Sequence, residues 1–291
     1  SERILAVGNP VIWVAGTAAM VWCTWFGWTR RRPVPLTVGL WWLAIWLPWA
    51  VWLFVAIAVF GLGAGLFEFF LLTKKLELKA DAGVAYLGAA ALTVSFIFDA
   101  PSKAPDILFC VIAAFVIAVF ISQAFRFQKD FTKLLAGLGV TIAGVLYLAF
   151  IGGFLIAVRM GFDATLSSKL LLFFFAVVFG SDAGAYFAGR ALGKHKLAPA
   201  ISPGKTVEGL IGGILAAAGF ASLAIWLFFN EIAFLPGIVV AIAITILGVL
   251  GDLAESAIKR GSGAKDAASI LPGHGGFLDR LDSLLFGAPV L

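Results

Sequence analysis

Between Ser256 and Asp282 a mostly apolar chain carries four cationic side chains, Lys259, Arg260, Lys265 and Arg280, and three carboxylates, Asp266, Asp279 and Asp282. His274 sits among them in a glycine-rich break. Just upstream, Asp252 and Glu255 close an apolar run. On a helix Asp252, Glu255, Ser256 and Lys259 share one face. Pro272 to Gly276 cannot continue a helix, so the chain is expected to turn back there. Asp279 and Asp282 then open the next apolar segment. The turn is expected to bring Asp279 opposite Asp252, a paired-carboxylate site for a hard divalent cation, with Asp182 and Asp282 as weaker metal candidates. Carboxylate oxygens suit Mg2+, and fixed positive charge suits phosphoryl oxygens, so the chemistry expected is on phosphates. The bland alternative is a solvated loop whose charges only set topology. Such a loop needs neither a His-Gly-Gly turn nor aspartates at both edges.

The elements that must position these groups are membrane helices. The chain of 291 residues is 62% hydrophobic and 13% charged, whereas soluble domains run near half apolar and a quarter charged. Its apolar runs have the length of spanning helices, not of barrel strands. They lie near residues 10–28, 36–72, 82–98, 106–122, 134–158, 167–188, 207–229, 233–255 and 277–291. The 36–72 run exceeds one span, and Pro48 offers a break. The fold expected is an all-α, polytopic integral membrane bundle of about eight to ten helices with a polar cavity facing the cytoplasm. The net charge of +5 belongs to loop asymmetry, not to nucleic acid. Fourteen Lys and Arg fall on alternate loops around Lys74, Arg126, Lys194 and Lys259, against three, Lys103, Arg159 and Lys169, on the loops between. That bias places the Ser256–Asp282 stretch in the cytoplasm of a cell membrane protein. Cys23 and Cys110 both lie in apolar runs, with no pattern for zinc or a disulfide. No signal-peptide cleavage pattern is evident.

A second constellation begins at Asp182, inside an apolar run, where an ionisable group is a functional candidate by default. A structural partner for a Lys or Arg of another helix is the alternative. Ser202, Pro203, Gly204, Lys205, Thr206 and Glu208 follow. Gly204-Lys205-Thr206 is not a P-loop, because Pro199 stands where the first glycine is needed and no buried strand precedes it. A loop entering a helix near Val207 fits better, with Thr206 as its cap and free N–H groups receiving phosphate beside Lys205. Gly61 and Gly65, and Gly209, Gly212 and Gly213, read as helix-packing positions. Glu68 reads as a buried partner or interfacial acid, and His195 as an interfacial loop residue.

The pattern S-x-x-K-R-x4-K-D-x5-P-G-H-G-G-x-x-D-R-x-D, from Ser256 to Asp282, resembles the signature of phosphatidate cytidylyltransferases, the CDP-diacylglycerol synthases. The run from Asp182 through Tyr186 and Gly189 to Arg190, and that from Ser202 to Gly209, resemble further motifs of the same family. The resemblance covers roughly residues 50–291. It implies a nucleotidyltransferase joining CTP and phosphatidate in the bilayer to give CDP-diacylglycerol and pyrophosphate, with Mg2+ and room for a second cation. A homodimer stays open. Asp252, Asp279, Lys259, Arg260, Lys265 and His274 are then the catalytic candidates. Ser202, Lys205, Thr206, Glu208, Asp182, Arg280, Gly275 and Gly276 are the substrate-binding ones.

Residues 1–47 read as an atypical membrane segment preceding a 48–291 catalytic domain. They weakly resemble the C-terminal membrane portion of protein O-mannosyltransferases. Leu291 falls short of a full last span, as a trimmed end would. Rival readings are a CDP-alcohol phosphotransferase, whose motif is absent, a CTP-dependent polyprenol or phytol kinase, and a transporter using Asp182.

Overall fold

The computed structural model describes residues 50–98, 106–126, 133–264 and 276–291. Lys265, His274 and Gly275, like the 1–47 segment, lie outside these residues. The described chain is helical apart from one hairpin. Its elements are α1 (Val51–Lys75), α2 (Ala82–Phe98), α3 (Asp106–Arg126), α4 (Leu134–Gly161), α5 (Ala164–Leu192), β1 (Lys196–Ala198), β2 (Ser202–Thr206), α6 (Val207–Leu227), α7 (Phe234–Gly261) and α8 (Leu278–Gly287). Six of them, α1 and α3 to α7, are long and apolar enough to cross a membrane. Helices dominate because a backbone in lipid must satisfy its own N–H and C=O groups. The apolar runs read from sequence at 82–98, 106–122, 134–158, 167–188, 207–229 and 233–255 lie on these helices; within 36–72, the part from Val51 onward is one helix, and the 10–28 run lies outside the described residues.

The links after α1 and α3 meet at one end of the bundle. There Asp81 ties three helices together. Its carboxylate caps α2 through the Val84 N–H, accepts from Ser122 of α3 and faces Arg126 at 3.9 Å, while its own N–H donates to Thr141 of α4 at 3.0 Å. Burial alone would raise this carboxyl; the Ser122 hydroxyl, the Val84 N–H and Arg126 hold it below the ordinary carboxylate range.

Two close helix approaches position the polar groups. Helices α5 and α6 pack through small residues: a Cβ added at Gly184 would lie 2.3 Å from the Ala216 Cβ, and one at Gly212 2.2 Å from the Ala188 Cβ. Gly213 faces the Ser181 carbonyl and Gly209 the Ala185 carbonyl. Here backbone proximity replaces the hydrophobic drive that lipid does not supply. Helices α7 and α8 approach equally closely. A Cβ at Gly251 would stand 2.5 Å from the Asp282 carbonyl oxygen, and one at Gly248 3.2 Å from that of Ser283.

One segment departs from the expected loop. Lys196–Ala198 and Ser202–Thr206 form a two-stranded antiparallel hairpin, closed by the Ile201 N–H donating to the Ala198 carbonyl at 3.2 Å. The pairing pattern is invisible to a search for apolar periodicity because the strands are short and carry Pro203 and Gly204.

Candidate active site

Helix α7 delivers Asp252, Glu255 and Lys259 on one face, and α8 runs back beside it with Asp279 and Asp282 three residues apart. The resulting pairing differs from the expected one. Carboxylate oxygens of Asp252, Glu255 and Asp282 lie within 4.8 Å of one another. Asp279 instead accepts from Lys259 Nζ at 2.6 Å and from the Gly276 N–H at 3.1 Å. The reason is register: Gly251 lets the Asp282 backbone settle against α7, so Asp282 stands at the level of Asp252. Asp279 comes one turn nearer the helix end, level with Lys259.

Glu255 is fully buried, and Lys259 Nζ lies 2.7 Å from its Oε2. Its Oε1 has no hydrogen-bond partner. Asp252 is less enclosed: Lys205 Nζ approaches its Oδ2 at 2.6 Å, and Ser256 Oγ donates to its Oδ1 at 3.3 Å. The Ser283 N–H and hydroxyl both donate to Asp282 Oδ1, at 2.6 and 3.2 Å. Four acidic side chains thus meet two ammonium groups, Lys205 and Lys259, so acids outnumber bases by two. Three carboxylates this close repel one another unless a cation or protons intervene. A donor set of oxygens only, with an unpaired buried oxygen among them, fits a hard divalent ion such as Mg2+.

Asp182 lies ten residues before the end of α5, about 15 Å along its axis, and Asp252 stands at a similar distance from the end of α7. Asp182 is exposed, yet it feels the charges of Asp252, Asp282 and Lys205. It therefore lies within electrostatic reach of the carboxylate cluster.

The remaining candidates have other surroundings. Thr206 is the cap of α6, accepting from the Gly209 N–H at 3.1 Å, and the Val207 N–H donates to the His195 carbonyl at 2.9 Å. Those N–H groups are therefore not free to receive phosphate, against expectation. Glu208 accepts from the His195 N–H and meets His195 Nδ1 at 2.6 Å. Ser202 pairs with Ala198 in the hairpin. Arg260 is exposed and donates from Nε to the Ile201 carbonyl at 3.2 Å, which ties the end of α7 to that hairpin. Arg280 is exposed and Gly276 buried.

Three groups near α8 are not among the expected site residues. Glu255 is one. Glu68 is fully buried in α1 and accepts from the Leu278 N–H at 2.8 Å. Tyr147 lies on a π-helical turn of α4, Leu146–Phe150, a distortion frequent at functional sites. Its ring packs on Phe286 at 5.9 Å, and its buried hydroxyl has no hydrogen-bond partner. A lone acid in an apolar run was the only sequence signal for Glu68, and for Tyr147 there was none.

A family model described as the cytidylyltransferase family matches residues 28–291. Over 124 residues the chain is 48% identical to a phosphatidate cytidylyltransferase of Haemophilus influenzae, covering 41% of this chain and 43% of that protein. A phosphatidate cytidylyltransferase of Staphylococcus saprophyticus is 48% identical over 122 residues, 42% of this chain and 46% of the relative. One from Bacillus subtilis is 37% identical over 201 residues, 66% of this chain and 68% of the relative. The matches thus span under half the length of the first two relatives and about two thirds of the third. All the helices described above fall inside the matched range, and the chain belongs to the cytidylyltransferase family.

Proposed function

We propose that this chain transfers CMP from CTP to phosphatidate, giving CDP-diacylglycerol and pyrophosphate, at a site open to the cytoplasm. The observation that carries the reading is the carboxylate cluster of Asp252, Glu255 and Asp282, flanked by Lys205 and Lys259 within a bundle of apolar helices. A water-soluble triphosphate can reach such a site from the loops, while a lipid phosphate enters at headgroup level with its acyl chains still in the bilayer.

Asp252 and Asp282, with Glu255 behind them, would hold Mg2+; when bound, the ion offsets phosphate charge and orients the triphosphate. Lys205, in contact with Asp252, is placed to turn toward a phosphate oxygen. Lys259, in contact with both, holds Glu255 and Asp279 in place. A phosphatidate oxygen attacks the α-phosphorus of CTP. The bond from that phosphorus to the bridging oxygen breaks, and pyrophosphate leaves with the electron pair. A phosphomonoester is largely ionised near neutral pH, its second pKa being about 6, so the attacking oxygen needs no strong base from the protein. Asp182, within electrostatic reach of the same cluster, keeps the cleft polar.

Purified protein given CTP, phosphatidate and Mg2+ is expected to yield a lipid with the mass of CDP-diacylglycerol and one pyrophosphate per lipid. A lipid that gains only the γ-phosphate would make the chain a kinase instead. The orientation has its own check. In a background lacking Cys23 and Cys110, Lys194→Cys should resist an impermeant thiol reagent on intact cells and react after lysis, whereas Asp163→Cys should react on intact cells. The reverse pattern would put the site on the side without CTP.

A further inference from the structure

We propose that Glu68 is a positioning residue for this reaction: it anchors the start of α8 and so sets where Asp282 and Asp279 stand against α7. The inference rests on the functional reading above. Helix α8 is ten residues long, and Phe277 at its N-cap makes no side-chain hydrogen bond. The first N–H groups of a helix have no partner within it. One of them, the Leu278 N–H, is taken by Glu68 Oε2 across 210 residues of sequence. A carboxylate also suits the positive end of the helix dipole.

Glu68 is the sole charged side chain of α1 before Lys74. It is fully buried, and its Oε1 has no hydrogen-bond partner. A carboxylate at that depth is costly, and packing alone would be served better by an apolar residue. The contact completes a register. Leu62 and Leu285 meet beside Gly152, Gly65 faces Leu281, and Glu68 meets Leu278. Successive turns of α1 thus meet successive turns of α8 in the opposite order. On its other side α8 rests on Gly248 and Gly251 of α7. A slip of one turn would shift α8 by about 5.4 Å, more than the 4.8 Å that spans the carboxylate cluster.

The test uses the full-length chain in detergent, with Glu68→Leu and Glu68→Gln. Hydrogen exchange is followed in peptides from α8 and α7, and the Mg2+ concentration for half-maximal turnover is measured alongside the KM for CTP. In Glu68→Leu the α8 amides should exchange faster while the membrane half of α7 does not. The Mg2+ requirement should rise by about tenfold or more, within the value of a hydrogen bond to a charged group, with a smaller change in KM at saturating Mg2+. Glu68→Gln keeps an acceptor oxygen and should fall between, which also decides the matter if the leucine variant does not fold. Wild-type α8 exchange and Mg2+ requirement in a folded variant would overturn the proposal. So would a uniform loss of protection over all helices, the mark of a packing role. If the wild type shows no Mg2+-dependent turnover, the functional reading fails, and exchange in α8 still decides the anchor.

Discussion

Asp282→Asn is expected to lower turnover by about 10²–10³-fold, the scale on which a preorganised electrostatic group at the reacting centre counts, with little loss of folded protein. Asp282 shares the carboxylate cluster with Asp252 and Glu255, and its two hydrogen bonds come from Ser283, its own neighbour. An amide can keep the carbonyl half of that geometry, so α8 should stay seated on Gly251. The missing charge falls where carboxylate oxygens of three residues converge. Asp252→Asn should be as severe and should also release Lys205, whose Nζ lies 2.6 Å from the carboxylate. Steady-state rates at saturating Mg2+ check both. A rate near wild type for either variant would remove that residue from the metal assignment.

Lys259→Met should be the most destabilising single change in the site. Its ammonium group is shared by fully buried Glu255 and by Asp279. Removing one partner of a buried pair strands the other, at a cost of about 3–5 kcal/mol. The double variant Lys259→Met with Glu255→Gln should recover much of that stability, because the stranded acid is gone. It should not recover activity, since Asp279 still lacks its cation and the cluster has lost a carboxylate. Thermal unfolding in detergent of the two singles and the double gives the interaction directly. Additive losses would mean that the pair is not energetically linked.

The bundle was legible because lipid forces apolar runs into helices, and the observed spans follow those runs closely. The grouping on α7 was legible too, since Asp252, Glu255 and Lys259 at helical spacing must share a face. The partner across the turn was not. Asp279 and Asp282 lie on the same face of α8, so spacing alone cannot say which meets Asp252. Gly248 and Gly251 decide it by letting α8 slide to one depth, and a glycine in a sequence does not say what it makes room for. Glu68 stayed without a role for a related reason: its partner is a backbone N–H far away in sequence, which leaves no mark in residue type. The start of α6 misled because His195 and Thr206 consume N–H groups that a loop-to-helix pattern leaves free.

Asp252 and Asp282, rather than Asp252 and Asp279, are proposed to hold the divalent cation. Mn2+ binding to the purified protein, followed by its electron paramagnetic resonance signal without nucleotide or lipid, tests this most directly. The wild type should bind Mn2+, Asp252→Asn and Asp282→Asn should lose it, and Asp279→Asn should retain it. Retention in Asp282→Asn together with loss in Asp279→Asn would contradict the account.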